Sequence, residues 1–323
     1  MARPRPLLLL LDWDGTLTTA STLPLLASVA APRAPHPALP ALSRAYARHL
    51  AAHDGAYRPA RPERTTVAQE LAYLDALRPV EGASVGRVEA AGLFGGVRTG
   101  DVDAAAADAV AGRAVGVRAG AAGLLGRVQR GGGRVVVVSV AWSRRFIHGV
   151  LSGCVRREAG GEEEVVMGDV EVRANEILAD GSGRLDRVFG GADGGIWTAG
   201  DKGRVMEGEI AAAVVAGDPS VPRTVYVGDS PTDLACLLKA DVGICIRDEV
   251  MGEEQTGLRE TLERVGVECL HVGAFVDDGA EDDGGRLWWA RDFEEVWRSG
   301  VMGALPEERS EHRDLPAQES VLW

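Results

Sequence analysis

Asp12 and Asp14 stand two residues apart at the end of an unbroken leucine run, Leu7–Leu11, in the stretch LLLLLDWDGTLT. Five consecutive leucines have the length of a strand buried on both faces, so the two carboxylates fall at a strand's carboxyl end. Side chains of an extended chain alternate, which puts Asp12 and Asp14 on one side, and Gly15 lets the chain turn sharply after them. One carboxylate can then attack an electrophile while its neighbour moves a proton, with a divalent cation holding both. A DG turn after a strand is also ordinary loop punctuation, so the other polar strand ends have to decide.

Two further apolar runs end the same way. Arg134–Val140 reads RVVVVSV and delivers Ser139, with Val140 beside it, to a strand end. Arg223–Val227 reads RTVYV and runs into Gly228–Asp233, GDSPTD, which delivers Asp229 and Asp233. Between them Lys202, one of only two lysines in an arginine-rich chain, heads an expected helix to about Val215. Each residue has a plainer role available. Asp229 and Asp233 could cap a helix, Ser139 could be a strand-end hydroxyl, and Lys202 could be a solvated helix start. A cation at a helix N-terminus, however, works against the macrodipole.

The elements that must position these groups follow from the periodicity. After Thr18 the pattern is helical, with interruptions, to about Arg130. Leu42, Tyr46 and Leu50 recur at helical spacing, as do Val67, Leu71, Leu74 and Leu77, and Asp101 is placed to cap an alanine-rich run. The Pro-rich segment Ala31–Pro40 breaks the first helices apart. Helices are expected over 120–129 and 143–151, and a short hairpin between Val170–Ala174 and Leu185–Val188. Gly153–Gly168 reads as an exposed acidic excursion and Gly190–Gly200 as a loop. Val242–Ile246 reads as a fourth parallel strand and His271–Phe275 as a fifth, with an acidic loop over 277–285 and an aromatic helix over Leu287–Trp297. Strands alternating with helices predict an α/β fold with a doubly wound parallel, Rossmann-like sheet. In such a sheet all three polar strand ends lie on one edge, where ligands bind.

The DxDGT stretch at Asp12, the strand-terminal Ser139, Lys202 and the GDSxxD stretch from Gly228 to Asp233 resemble, in order, the four motifs of the haloacid dehalogenase superfamily. The helical block between the first two motifs is similar to the C1 cap of its phosphoserine phosphatase-like branch. Weaker similarity at Arg118–Gly120, Ser139–Ser143 and Trp289–Phe293 points to a fungal-type phosphatase group.

The resemblance implies a catalytic core over 1–18 and 119–305, a cap over 19–118 and a polar tail over 306–323. It also implies that Asp12 is the nucleophile and Asp14 the general acid and base. Thr16, Ser139, Val140 and Lys202 would bind the phosphoryl group. Mg2+ would be held by Asp12, the backbone carbonyl of Asp14, and Asp229, with Asp233 as a ligand through water or a support behind the ligands. The reaction implied is hydrolysis of a small phosphorylated metabolite through an aspartyl-phosphate. A dehalogenase would need neither Asp14 nor a metal. A phosphomutase, or a catalytically silent binding or regulatory protein on the same fold, is the alternative.

Composition bounds the partners. At 323 residues with net charge −13 and pI near 5.0, the chain is ill suited to nucleic-acid backbones and anionic membranes. Cys154, Cys236, Cys245 and Cys269 show no CxxC spacing, which suits buried thiols of a reducing compartment. The N-terminal leucine run is too short for a signal peptide and meets charge at once, so a cytoplasmic protein is expected. Trp13, Trp142, Arg144, Arg145 and Asn175 are further residues that could face a substrate. His148 and His271 read as structural, and the sequence leaves the oligomeric state open.

Overall fold

The leucine run forms β1 (Leu7–Leu11), and its alternate side chains enter two separate cores. Leu7, Leu9 and Leu11 join one hydrophobic cluster, and Leu8 and Leu10 join another on the opposite face. A strand covered on both sides has no solvent face to make polar, which is why the run does not alternate. Each leucine so buried contributes roughly 2 kcal/mol relative to exposure.

The structure is a computed structural model, and it describes residues 5–29, 38–158, 167–178, 180–186, 194–215, 221–275 and 286–303. After β1 come α1 (Leu23–Ser28), α2 (Ala38–Ala56), α3 (Val67–Ala76), α4 (Arg78–Ala90), α5 (Thr99–Ala111) and α6 (Ala121–Arg130). These are followed by β2 (Arg134–Val138), α7 (Arg144–Glu158), β3 (Val170–Arg173), β4 (Glu176–Ile177), β5 (Leu185–Asp186) and α8 (Ala199–Val215). The chain continues through β6 (Arg223–Gly228), α9 (Leu234–Lys239), β7 (Val242–Ile246), α10 (Glu253–Val265), β8 (Cys269–His271), β9 (Leu287–Ala290) and α11 (Phe293–Arg298).

Seven strands form one sheet in the order β3-β2-β1-β6-β7-β9-β8, every neighbouring pair parallel. The sheet is thus the α/β, Rossmann-like one that the sequence predicts. Its path runs outward from β1 through β2 to β3, then returns to the other side of β1 with β6. The strand order therefore reverses at β1, and the crevice at such a point is where open α/β sheets bind ligands. Leu11 pairs with Val137 on one side and Val227 on the other, so Asp12, Ser139 and Asp229 emerge at one edge.

Helices α1, α2 and α4 border the cleft at that edge. α5 packs closely along α7 because Gly149 and Gly153 leave room for it; a Cβ on either would come within 2.9 Å of Ala106 or Val110. Among the described residues no helix is long and apolar enough to cross a membrane.

Five expectations need correction. Leu287–Trp297 is not one helix: LWWA is β9, inserted between β7 and β8, and the helix begins at Phe293 behind Asp292, whose side chain accepts from Glu295 N at 2.9 Å. Trp288 and Leu287 enter opposite cores, the period-two pattern that bulky aromatics serve in strands. The strand expected over 271–275 lies instead at Cys269–His271, and Val272–Ala274 is a 3-10 turn. Val170–Arg173 does not form the hairpin; it extends the main sheet beside β2, where the alternative would leave the buried edge of β2 unpaired, and β4 pairs with β5 instead. Ala199 and Gly200 belong to α8 rather than to a loop. Gly153–Glu158 is not an exposed excursion but the last turns of α7, with Cys154 and Val155 buried in the core. The polar tail, the acidic loop, part of Ala31–Pro40, and 159–166 and 190–193 lie outside the described residues.

Candidate active site

The chain leaves β1 at Asp12 in extended conformation and closes a wide turn in which Thr18 N donates to Trp13 O at 3.0 Å. Two features set this turn. Gly15 has φ +78°, and a Cβ on it would fall 2.2 Å from Asp229 Oδ2, so both conformation and space require glycine. Arg118, buried at the start of the segment leading into α6, donates to Gly15 O at 2.8 Å and to Thr16 O at 3.1 Å. Its remaining donors reach Arg291 O and the Asp248 carboxylate, which Gln255 holds in turn. Two backbone carbonyls with no partner in any ladder are satisfied by one guanidinium.

Asp12, Asp229 and Asp233 are brought together, one oxygen of each lying within 4.8 Å of the others. Lys202 is fully buried beside them, its Nζ 2.6 Å from Asp12 Oδ1 and 2.8 Å from Asp233 Oδ1. The N-terminus of α8 has its own acid: Asp201 accepts from Thr198 N at 3.0 Å and Thr198 Oγ1 accepts from Asp201 N at 3.2 Å. Arg78 and Arg204 also bind Asp201. The macrodipole is thus matched by Asp201, and Lys202 is held in place by the two aspartates it faces.

The three carboxylates are not equivalent. Asp233 Oδ1 accepts from Lys202 and from Tyr226 OH at 2.7 Å, and its Oδ2 accepts from Asp229 N, Ser230 N and Ser230 Oγ at 3.0–3.1 Å. Five donors occupy both oxygens, so Asp233 orients Lys202 and the 228–230 loop. Asp229 Oδ1 accepts one bond, from Thr16 Oγ1 at 3.0 Å. Burial, then the Asp233 charge, push the Asp12 carboxyl up to about 7 despite Lys202. Burial and the charges of Asp12 and Asp233 push Asp229 up to about 8. Three buried carboxylates against one ammonium leave an excess of negative charge, and an all-oxygen donor set of this kind suits a hard divalent cation such as Mg2+.

Asp14 lies apart from the trio. Its Oδ1 accepts from Thr22 N at 2.6 Å, and burial raises its carboxyl above the usual range. Thr16 is fully buried with its hydroxyl committed to Asp229, so that side chain does not line the cleft. Ser139 Oγ accepts from Ala141 N at 3.1 Å and, with Val140, borders the cleft. Asn175 does not face it. Buried, it donates to Val140 O and Ile196 O, each at 3.0 Å, and braces the Ser139–Ala141 loop from behind. Trp13 is core, bonded to Thr22 Oγ1 at 3.0 Å, and Arg145 pairs with Asp103. Trp142 does line the cleft, as does Trp197.

The cleft has a volume of about 500 Å³, with Asp12, Asp14, Ser139, Lys202 and Asp229 on its floor and α1, α2, α4 and α7 as walls. A second cleft, of about 610 Å³, between α5, α7 and β3–β5, contains none of the strand-end groups.

Sequence reasoning gave no site role to Tyr226 or Glu81, met Arg118 only within the Arg118–Gly120 similarity, and met Tyr46 only as a helical-spacing residue. Tyr226 carried a signal, as the one hydroxyl-bearing aromatic in a strand of valines. The role of Arg118 was not legible, because it acts on backbone carbonyls.

A family model, the haloacid dehalogenase-like hydrolase, matches residues 9–238. Among solved structures, a phospho-aspartyl intermediate analogue of phosphoserine phosphatase is similar at 17% identity and TM-score 0.45, covering 92% of this chain and 99% of that one. A substrate-bound phosphoserine phosphatase shares 18% identity at TM-score 0.41, over 82% of this chain and 100% of that one. Cytosolic 5'-nucleotidase IIIB bound to cytidine shares 14% identity at TM-score 0.48, over 94% and 86%. No curated protein matches the sequence.

Proposed function

Since this chain belongs to the haloacid dehalogenase-like hydrolase family, we propose that it is a Mg2+-dependent phosphatase acting on a small phosphorylated metabolite. The observation that carries the reading is the placement of Lys202 Nζ 2.6 Å from Asp12 and 2.8 Å from Asp233 at the sheet edge where the strand order reverses.

In this reading a carboxylate oxygen of Asp12 attacks phosphorus and the ester P–O bond breaks, leaving an aspartyl-phosphate. Asp14, whose carboxyl burial raises above the usual range, gives its proton to the departing alkoxide. As a carboxylate it then takes a proton from a water, whose oxygen attacks phosphorus and releases phosphate and Asp12. Lys202, Ser139 Oγ and the Val140 amide stabilise charge on the phosphoryl oxygens. Thr16 contributes through the hydroxyl that steadies Asp229. Asp12, the Asp14 carbonyl and Asp229 would hold Mg2+, which supplies charge neutralisation between the attacking carboxylate and an anionic substrate. Asp233 supports this set from behind.

Residues 19–118 serve as the cap over a core of 1–18 and 119–305, excluding water when substrate is bound. We assign the activity to the cytoplasm, in keeping with four unpaired cysteines. The test is phosphate release from a panel of phosphorylated metabolites and 4-nitrophenyl phosphate, with Mg2+ and with chelator, for wild type and Asp12→Asn. Release that needs both Mg2+ and Asp12 is expected. Full release by Asp12→Asn would overturn the mechanism.

A further inference from the structure

The cleft wall away from the strand ends is built from two helical stripes of the same period. On α2 the stripe is Leu39, Leu42, Ser43 and Tyr46, and on α4 it is Glu81, Ser84, Val85 and Val88. Positions i, i+3, i+4 and i+7 form one face of a helix, so each helix turns a single face to the cleft. Tyr46 OH donates to Glu81 Oε1 at 2.7 Å and joins the two stripes. Burial raises the Glu81 carboxyl above its usual range, while the Tyr46 hydrogen bond and Arg87, further along α4 and outside the lining, act to lower it. Among the described lining residues the one basic side chain is Lys202, whose ammonium is engaged on the floor by Asp12 and Asp233. Glu254 adds a second carboxylate to the lining.

A phosphomonoester that places its phosphoryl group on this floor lays its alcohol among these stripes and the apolar side chains of α1 and α7, Leu23, Leu26, Phe146 and Ile147. A carboxylate or second phosphate on that alcohol would give up water for leucine and valine surface beside a like charge. An apolar alcohol gains burial against the same surface. We propose that the cleft selects phosphomonoesters whose alcohol is apolar and carries no second anionic group, with Glu81 setting the discrimination. This rests on the phosphatase reading of the floor. It separates the chain's substrate from phosphorylated amino acids and from bisphosphates.

The experiment compares butyl phosphate with 3-carboxypropyl phosphate, matched in length and differing by one carboxylate. Binding is measured calorimetrically in Mg2+ on the Asp12→Asn protein, so that turnover is not required, and hydrolysis is measured on wild type. Butyl phosphate is expected to bind at least about tenfold more tightly. Adding Glu81→Gln should narrow the gap to within about threefold, whereas Tyr46→Phe, which keeps the carboxylate, should preserve it. Equal or tighter binding of the carboxylated ester, a gap untouched by Glu81→Gln, or no binding of either ester would overturn the proposal. Selective binding without hydrolysis by wild type would support the proposal while removing the phosphatase reading. Hydrolysis without selectivity would do the reverse.

Discussion

Lys202 Nζ lies 2.6 Å from Asp12 Oδ1 although 190 residues separate the two in the chain. The pair is buried, and Asp233 completes it from the other side at 2.8 Å. Removing one member of a buried ion pair strands the others, which costs about 3–5 kcal/mol. Lys202→Met should therefore lower stability in urea unfolding by about that much, with Lys202→Met/Asp233→Asn recovering part of the loss. Wild-type stability in the single variant would show that the ammonium does not hold the aspartates together.

Gly15 and Gly92 both adopt positive φ, at +78° and +62°, but differ in their surroundings. A Cβ on Gly15 meets Asp229, whereas one on Gly92 meets nothing within 4 Å. Both alanine variants should lose about 1–2 kcal/mol of stability from the left-handed conformation alone. Only Gly15→Ala should also lose phosphate release, by about a hundredfold or more, because Asp229 must move. Equal activity in the two variants would contradict the assigned role of the Asp229 position.

The raised carboxyls of Asp12 and Asp229 fix the sign of a pH dependence in chelator. Their folded values, about 7 and about 8, lie above an unfolded value near 3.8, so the folded state retains protons that the unfolded state has released. Their contribution is fully present below pH 4 and is lost as pH rises through 7 to 8. Metal-free stability, measured by urea unfolding from pH 5 to 9, should fall more steeply in wild type than in Asp12→Asn/Asp229→Asn. The stabilisation gained on adding Mg2+ should grow over the same interval. A flat wild-type profile would contradict the crowding of these carboxylates.

Arg118 ties the turn after Asp14 to the far side of the sheet through Gly15 O, Thr16 O, Arg291 O and Asp248. Arg118→Met should weaken Mg2+ binding, read calorimetrically, and kcat by about ten- to a hundredfold, with Arg118→Lys intermediate. An unchanged Mg2+ affinity would mean that the turn keeps its shape without the guanidinium.

The floor of the cleft was legible because its groups follow apolar strands or lie in a helix's first turn, and a parallel sheet sends all such ends to one edge. Leu7–Leu11 and Arg134–Val138 were readable as strands because both faces are buried and the runs are continuous. β9 was misread because LWWA runs into a genuine helix at Phe293, and a short aromatic run has no period of its own long enough to separate the two. Asp233 illustrates another limit. Its sequence position marks it as one of the aspartates, but only the five donors around it distinguish a support from a free ligand. The two wall stripes of α2 and α4 were partly visible in the spacing of Leu42 and Tyr46, yet their convergence on one cleft required the tertiary arrangement.

The proposed aspartyl-phosphate can be trapped chemically. Wild-type protein is mixed with a turned-over ester in Mg2+, quenched, and reduced with borohydride, which converts an aspartyl-phosphate to homoserine, and the peptides are read by mass spectrometry. Homoserine is expected at position 12 and nowhere else, and none with Asp12→Asn. Homoserine at another aspartate, or turnover with no trapped residue at position 12, would contradict the role of Asp12 as nucleophile.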